Sequence, residues 1–499
     1  MDAEQYAAHA AVDQICDFYA TLDHRPVTAQ VERGYLAPHL ANSAPQQGET
    51  WDVIMRDYHE HILPGITQWQ HPMFFGYFPS NVTYEGILAD MFAAMTTNPA
   101  FNWNASPAVT ELEFIALNWI ASMLGLSEAF HTRDEKSTSG GGVILGSASE
   151  STLIMAIAAR ERAVRHRVLE TGRSDADVRA DLLPKMVLYC TTQTHSSGHK
   201  AAKILGLQCR SLPVYREDHF GLRGETLRAA LEEDLRNGRY PFYLVASYGT
   251  TNTCAIDYMP ELVDVRTAYP QLWLHLDAAY AGVVWSLPEY RDVNLEAVNK
   301  NFDSLSTNLH KWGLVQFESS PTFVRDRTNL TEALSLTPEY LKSKNTGHDS
   351  VWDLRNMQIT LGRRFRALKV WMVLRSYGIE GFQAHLRKCM RLAKQIHEGL
   401  ASHARLEMLA PPRWGLVLFR LTKPEATTAE LDALNHAFDE VLSHHSAEIL
   451  LTPTTLPTIG FCFRLVVGAP ATTDVHAQRA IALLTSCADA TLAHASATC

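Results

Sequence analysis

Residues 272–280, Leu-Trp-Leu-His-Leu-Asp-Ala-Ala-Tyr, and residues 304–312, Ser-Leu-Ser-Thr-Asn-Leu-His-Lys-Trp, share one design. Each opens with a strand-length run that leads to a residue that carries chemistry: Asp277 ends the first run, and Lys311 follows the second. Comparable short apolar runs at 143–145, 186–190 and 243–247 are separated by stretches of helical pattern. Short buried strands alternating with helices predict an α/β fold, a largely parallel sheet covered on both faces. Open sheets of this kind place ligands at the carboxyl ends of their strands, where both Asp277 and Lys311 fall. Ala278 and Ala279 are small enough to let a flat group approach.

Working outward, the chain has 499 residues, 46% hydrophobic and 20% charged, enough for a substantial core and more than one domain. A net charge of −10 offers no footprint for nonspecific nucleic-acid binding. No apolar run approaches the roughly 20 residues of a membrane span. The opening MDAEQYAAHA lacks the basic and apolar regions of a secretion signal, so a cytoplasmic location is expected. Eight cysteines are scattered without a CxxC pair, which favours buried thiols in a reducing compartment. With no HExxH and no tight histidine cluster, no metal site is expected.

Three parts are expected along the chain: an N-terminal helical arm (1–83), a large α/β domain (84–368) and a small C-terminal α+β domain (369–499). Residues 1–20 have helical spacing, and 21–50 read as an extended arm that cannot form a core alone. It must lie on something else, and a partner subunit is the expected cover. Ser106-Pro107 opens a long helix that Gly125 stops. Residues 461–466 form an alternating strand, and 329–350 read as one long polar loop, a length more often functional than idle.

A lysine and an acid at strand ends suit pyridoxal phosphate (PLP): Lys311 to hold the aldehyde, Asp277 to keep the pyridine nitrogen protonated. An isolated Asp and Lys are more often an ordinary ion pair. The reading gains from residues 140–151, GGGVILGSASES, a glycine-rich turn, a strand and a hydroxyl-rich helix start that together suit a phosphate. The Lys-Ser/Thr ending of a nucleotide P-loop is absent there. His195, in QTHSS after a strand, can stack on a flat ring or merely cap a helix.

Here the motifs carry a family likeness. HPMFFGYFPS, SPAVTELE, GSASES, THSS, YGTTNT, HLDAAYAG, NLHKW and LGRRFRALK resemble, in order, those of group II PLP-dependent amino-acid decarboxylases, above all the aromatic-L-amino-acid branch. The likeness runs to about residue 470 and implies a fold-type-I PLP enzyme, a mainly parallel seven-stranded sheet flanked by helices, working as a homodimer whose arms wrap the partner. It implies Lys311 as Schiff-base lysine, Asp277 as pyridinium partner, Ala279 and His195 on the two ring faces, and Ser147, Ala148, Ser149 and Asn308 around the phosphate. Thr251 and His310 resemble further cofactor-pocket residues, and Asp257 a family acid that supports Asp277 or the cofactor.

For the substrate, the likeness implies a pocket wall of Trp69, Tyr77, Phe78 and Pro79, with Phe101 supplied across the dimer. Composition alone leaves these aromatics as readily in a core or an interface. Tyr340, in TPEYL, matches the family's mobile-loop tyrosine, implicated in protonating Cα; aldehyde synthases of the family typically carry Phe there. Gly362 stands where members acting on histidine, and plant members acting on tyrosine, often carry Ser, so indole or dihydroxyphenylalanine substrates are expected over histidine. The basic run Arg363, Arg364, Arg366 and Lys369 reads as structural, interface-forming or electrostatic support, and Arg464 occupies a strand position like that of an aminotransferase carboxylate-binding arginine. An aromatic amino-acid decarboxylase is therefore expected, with an aldehyde synthase as its chemical rival. An aminotransferase or a catalytically silent scaffold fits the residues less well.

Overall fold

The computed structural model describes residues 3–132, 139–336 and 353–497. Its larger sheet contains β1 (Gly142–Leu145), β2 (Met186–Thr191), β3 (Gln208–Leu212), β4 (Tyr240–Ser247), β5 (Trp273–Asp277), β6 (Ser304–Ser306) and β7 (Ser320–Val324), in the order β1-β7-β6-β5-β4-β2-β3. The run β3-β2-β4-β5-β6 is parallel, and β7 runs against both β6 and β1. The expected strands all form. The two that the apolar pattern did not reveal have physical reasons to hide. β3 is a partly exposed edge strand, QCRSL, and β7 opens on Ser-Pro.

The helix Ala148–Thr171 packs Ile154, Met155, Ala158 and Ala159 into one buried cluster with Val143 of β1, Leu188 of β2 and Val245 of β4. Ser147 caps its start and Gly172, at φ 63°, ends it in the left-handed conformation glycine tolerates. The expected helix after Ser106 runs from Pro107 to Met123, and Gly125 follows at φ 70°; Ser106 makes no side-chain cap bond, so proline sets this start unaided. The reading of 329–350 as one loop needs correction, because Thr328–Leu334 is a helix whose Leu330 is fully buried. These elements belong to a compact unit spanning residues 81–386.

Residues 1–80 and 387–499 together form the second unit. Its antiparallel sheet, in the order β10-β11-β9-β8, comprises β8 (Leu406–Met408), β9 (Leu416–Leu421), β10 (Thr452–Leu456) and β11 (Gly460–Val466). The helix Thr428–Ser443 packs on it, opened by a reciprocal cap between Thr427 and Glu430. The N-terminal helix runs Ala3–Ala20, as its spacing predicts. Part of the coreless arm finds its cover within this same unit. Val27 is fully buried and its N–H donates to the Ala447 carbonyl at 2.9 Å, while Thr28 Oγ1 donates to Ser446 O at 2.9 Å. Among the described residues, no helix is long and apolar enough to cross a membrane.

Candidate active site

Asp277 is the last residue of β5, in register with Ser247 of β4 and Ser306 of β6. Its Oδ1 accepts the Ala279 N–H at 3.0 Å, which fixes the carboxylate's orientation. Asp277 is only 9% exposed, and Oδ2 takes no part in that bond. A protonated pyridine nitrogen is a fitting donor for it. Ala278 and Ala279 are buried beside it and present no side chain beyond a methyl.

Lys311 lies five residues beyond β6, in the single turn Leu309–Trp312 that Asn308 opens. The Asn308 N–H donates to Ala279 O at 3.0 Å, so the backbone itself ties the lysine segment to the aspartate segment. His310 is buried, and its Nδ1 accepts the Ser319 N–H at 2.9 Å, leaving Nε2 as the protonated nitrogen. Burial first, and the neighbouring Lys311 ammonium second, push its pKa down to about 3, so it is a neutral group at any working pH.

The phosphate cradle is built where β1 meets the helix Ala148–Thr171. Ser147 Oγ accepts the Glu150 N–H at 3.2 Å, and Glu150 Oε2 accepts the Gly146 N–H at 2.9 Å. Ser147 and Ser149 are half-buried, with Ala148 buried between them. Ser320 links this end to Asn308: its hydroxyl donates to Asn308 Oδ1 at 2.7 Å and lies 3.4 Å from Ser151 Oγ. With Oδ1 so engaged, the Asn308 amide N–H group faces away from Ser320, free to serve an anion. Ser320 was missed in the sequence, where nothing distinguishes a relay serine from a core one.

His195 follows β2, and its Nδ1 accepts the Ser197 N–H at 3.2 Å, where the next helix begins. Its pKa lies below the ordinary imidazole value because desolvation outweighs the attraction of Asp277, with Lys311 adding to the lowering. A neutral ring suits stacking. The loop after β4 carries half-buried Thr251, and Asn252 reaches Gln193 Oε1 at 3.4 Å, bringing this loop beside that of His195. Asp257 bonds the backbone of Ser247, the residue in register with Asp277. Its two carboxylate oxygens accept the N–H groups of Leu222 (2.8 Å) and Ser247 (2.7 Å), so it clamps backbone, and burial pushes its pKa up to about 6.

Phe101 and Gly362 are joined through neighbouring backbone: the Arg363 N–H donates to Pro99 O at 2.7 Å and that of Arg355 to Phe101 O at 3.4 Å. Among the described residues, a Cβ on Gly362 would meet only Pro99 Cβ, at 4.0 Å. Arg363, next along, pairs with Glu113 at 2.5 Å with both side chains fully buried, and Glu113 Oε1 also accepts the Ile144 N–H of β1 at 2.8 Å. Arg366 pairs with Glu318 at 2.8 Å and Lys369 reaches Asp90 at 3.5 Å, so these members of the basic run serve the fold. Glu113→Gln would leave the Arg363 charge buried beside a neutral amide, and a loss of about 3–5 kcal/mol is expected in denaturant unfolding.

The remaining wall candidates belong to the second unit. Trp69 and Tyr77 stack at 5.4 Å, with Trp69 against Phe74 at 4.7 Å; Trp69 and Tyr77 are exposed and Phe78 is buried. Pro79 packs against Gly468. Arg464 lies buried on β11 with its guanidinium 5.0 Å from the Phe78 ring centre and its NH2 3.4 Å from Tyr77 O. Its visible work is to hold the Tyr77–Phe78 turn, where Tyr77 adopts φ 53°. Tyr340 lies outside the described residues.

A lysine, a nearly buried carboxylate, a flat alanine floor and a capped helix start with a nearby amide make a donor set that fits PLP. Comparison with known proteins agrees. Tryptophan decarboxylase 2 from Oryza sativa subsp. japonica is 40% identical over 489 residues, 97% of this chain and 94% of that protein. Phenylacetaldehyde synthase from Arabidopsis thaliana is 39% identical over 485 residues, covering 96% and 95%. The crystal structure of Oryza sativa TDC with PLP and tryptamine superposes with a TM-score of 0.91 at 34% identity, covering 98% of each chain. Residues 34–422 match the pyridoxal-dependent decarboxylase conserved domain, and it is to that family that the chain belongs.

Proposed function

We propose that the protein decarboxylates aromatic L-amino acids to arylalkylamines, with tryptophan-type or dihydroxyphenylalanine-type substrates ahead of histidine. The observation that carries the chemistry is the Asp277 carboxylate, oriented through one oxygen by the Ala279 N–H. Bound PLP supplies an electron sink for the bond broken at Cα. Lys311 would hold the cofactor's aldehyde, and Asp277 would keep its ring nitrogen protonated. His195, neutral, covers one ring face and Ala279 the other. Ser147, Ala148, Ser149 and Asn308 hold the phosphate, with Thr251 and His310 completing the pocket. Tyr340 delivers a proton to Cα after carbon dioxide leaves, and a homodimer in the cytoplasm is the working form.

Support for an aromatic side chain comes from Trp69, Tyr77, Phe78, Pro79 and Phe101 as wall, and from Gly362 as the residue that leaves room. The test offers the PLP-loaded protein an equimolar mixture of tryptophan, 5-hydroxytryptophan, dihydroxyphenylalanine, tyrosine, phenylalanine and histidine, with products read by mass spectrometry. Indole or catechol amines are expected to dominate, and histamine as main product would overturn the pocket reading. Because, among the described residues, a Cβ at Gly362 meets nothing closer than 4.0 Å, Gly362→Ser is expected to fold normally. It should lower kcat/KM for indole substrates by about 10- to 100-fold relative to smaller rings. An unchanged ratio would remove Gly362 from the pocket.

The second reading, an aromatic acetaldehyde synthase, is favoured by the 39% identity to a protein of that activity. Peroxide and aldehyde in place of amine would establish it.

A further inference from the structure

Cys190, His199 and Cys209 are nine and ten residues apart, a spacing no metal motif uses, yet the unit β2–helix–β3 folds them together. Their ligand atoms all lie within 4.8 Å of one another. The two sulfurs are 3.3 Å apart. Cys190 is buried on β2 and packs under Gly198, Cys209 is half-buried on the edge strand β3, and His199 is exposed on the helix Ser197–Leu205. His199 Nε2 is held by Ser211 Oγ at 2.8 Å, which fixes the ring over the same strand.

We infer that these three side chains form a binding site for a borderline-soft cation of the zinc class, two thiolates and an imidazole with a fourth position open to solvent. Geometry separates this from a redox disulfide. The strand register pairs Leu188 with Cys209 and Cys190 with Ser211, so the two cysteines are diagonal neighbours. A strand spacing of about 4.8 Å and a two-residue offset of about 6.6 Å put their Cα atoms about 8 Å apart. A disulfide is not made beyond about 7 Å without backbone movement. A tetrahedral cation with metal–sulfur bonds of about 2.3 Å holds its sulfurs about 3.8 Å apart, so the pair needs to open by only about half an ångström. Binding releases the two thiol protons to solvent, because the thiolate is the ligand form. The site sits at the open edge of the sheet, so a cation has a path to it.

Holoenzyme dialysed against chelator is titrated anaerobically with Co²⁺, used as the probe because its tetrahedral thiolate complexes absorb in the red, away from the cofactor. One equivalent per chain is expected to produce those bands. Cys209→Ser should abolish them, and His199→Ala should weaken binding by at least about tenfold. Cofactor absorbance and decarboxylase turnover in Cys209→Ser certify that the variant folds, so the reading of the active site and of this site fail separately. Absent bands, or bands that persist in Cys209→Ser, would overturn the inference. So would loss of two thiols per chain to hydrogen peroxide with no cobalt bound, which would make the pair a redox couple.

Discussion

Asp277→Asn is expected to keep the fold and lower kcat by about 10²–10³, the effect of losing one preorganised charge at a reacting centre. Asparagine has the size of aspartate, and its amide oxygen can still accept the Ala279 N–H that Oδ1 accepts at 3.0 Å. The amide nitrogen then occupies the position of Oδ2 and presents hydrogens where the site needs an acceptor. A protonated pyridine nitrogen would face a donor, with no compensating charge in a pocket that is nearly closed to water at this residue. The ring therefore loses its proton, and with it most of its capacity to receive electrons from Cα. Steady-state kinetics normalised to bound cofactor, read from its absorbance, check the result. If occupancy falls while turnover per bound cofactor stays constant, Asp277 serves only to bind, and the proposed role is wrong.

Asp277 and Lys311 were named from the sequence because one ends a short strand and the other follows one by five residues, and strand ends in a parallel sheet converge by construction. Ser147 was legible for a similar reason, since a hydroxyl residue before a long helix is a cap whatever else it does. What stayed hidden depends on pairings distant in sequence. Nothing near Glu113 announces Arg363, 250 residues on, or its tie to the Ile144 N–H. The Ser151–Ser320–Asn308 relay needs β7 beside β1, and β7 was unreadable because its first residues, Ser-Pro, do not pattern as a strand. For Asp257 the motif suggests an acid that supports Asp277 or the cofactor; its actual partners, the N–H groups of Leu222 and of Ser247 beside Asp277, are a fact of loop geometry that no local pattern encodes.

Tyr340→Phe is expected to redirect the product: amine falls by at least about a hundredfold, the usual share of a positioned general acid, while aldehyde appears. A phenol can give its proton to Cα once carbon dioxide has left. Phenylalanine keeps the ring and removes only that proton. Dioxygen then takes the electron pair and leaves as hydrogen peroxide, and water releases the oxidised carbon as aldehyde with ammonia. One dioxygen and one water are consumed for each aldehyde, ammonia, carbon dioxide and peroxide. Equal amounts of peroxide and aldehyde are thus the signature, measured by coupled peroxidase assay and mass spectrometry. Whole-chain identity cannot make this distinction, because the tryptophan decarboxylase at 40% and the phenylacetaldehyde synthase at 39% are equally near. A single hydroxyl group can, since it decides only whether a proton or dioxygen reaches Cα first. Unchanged amine yield from Tyr340→Phe would mean that another group or solvent delivers the proton, and the preference for amine over aldehyde would then need a different residue to carry it.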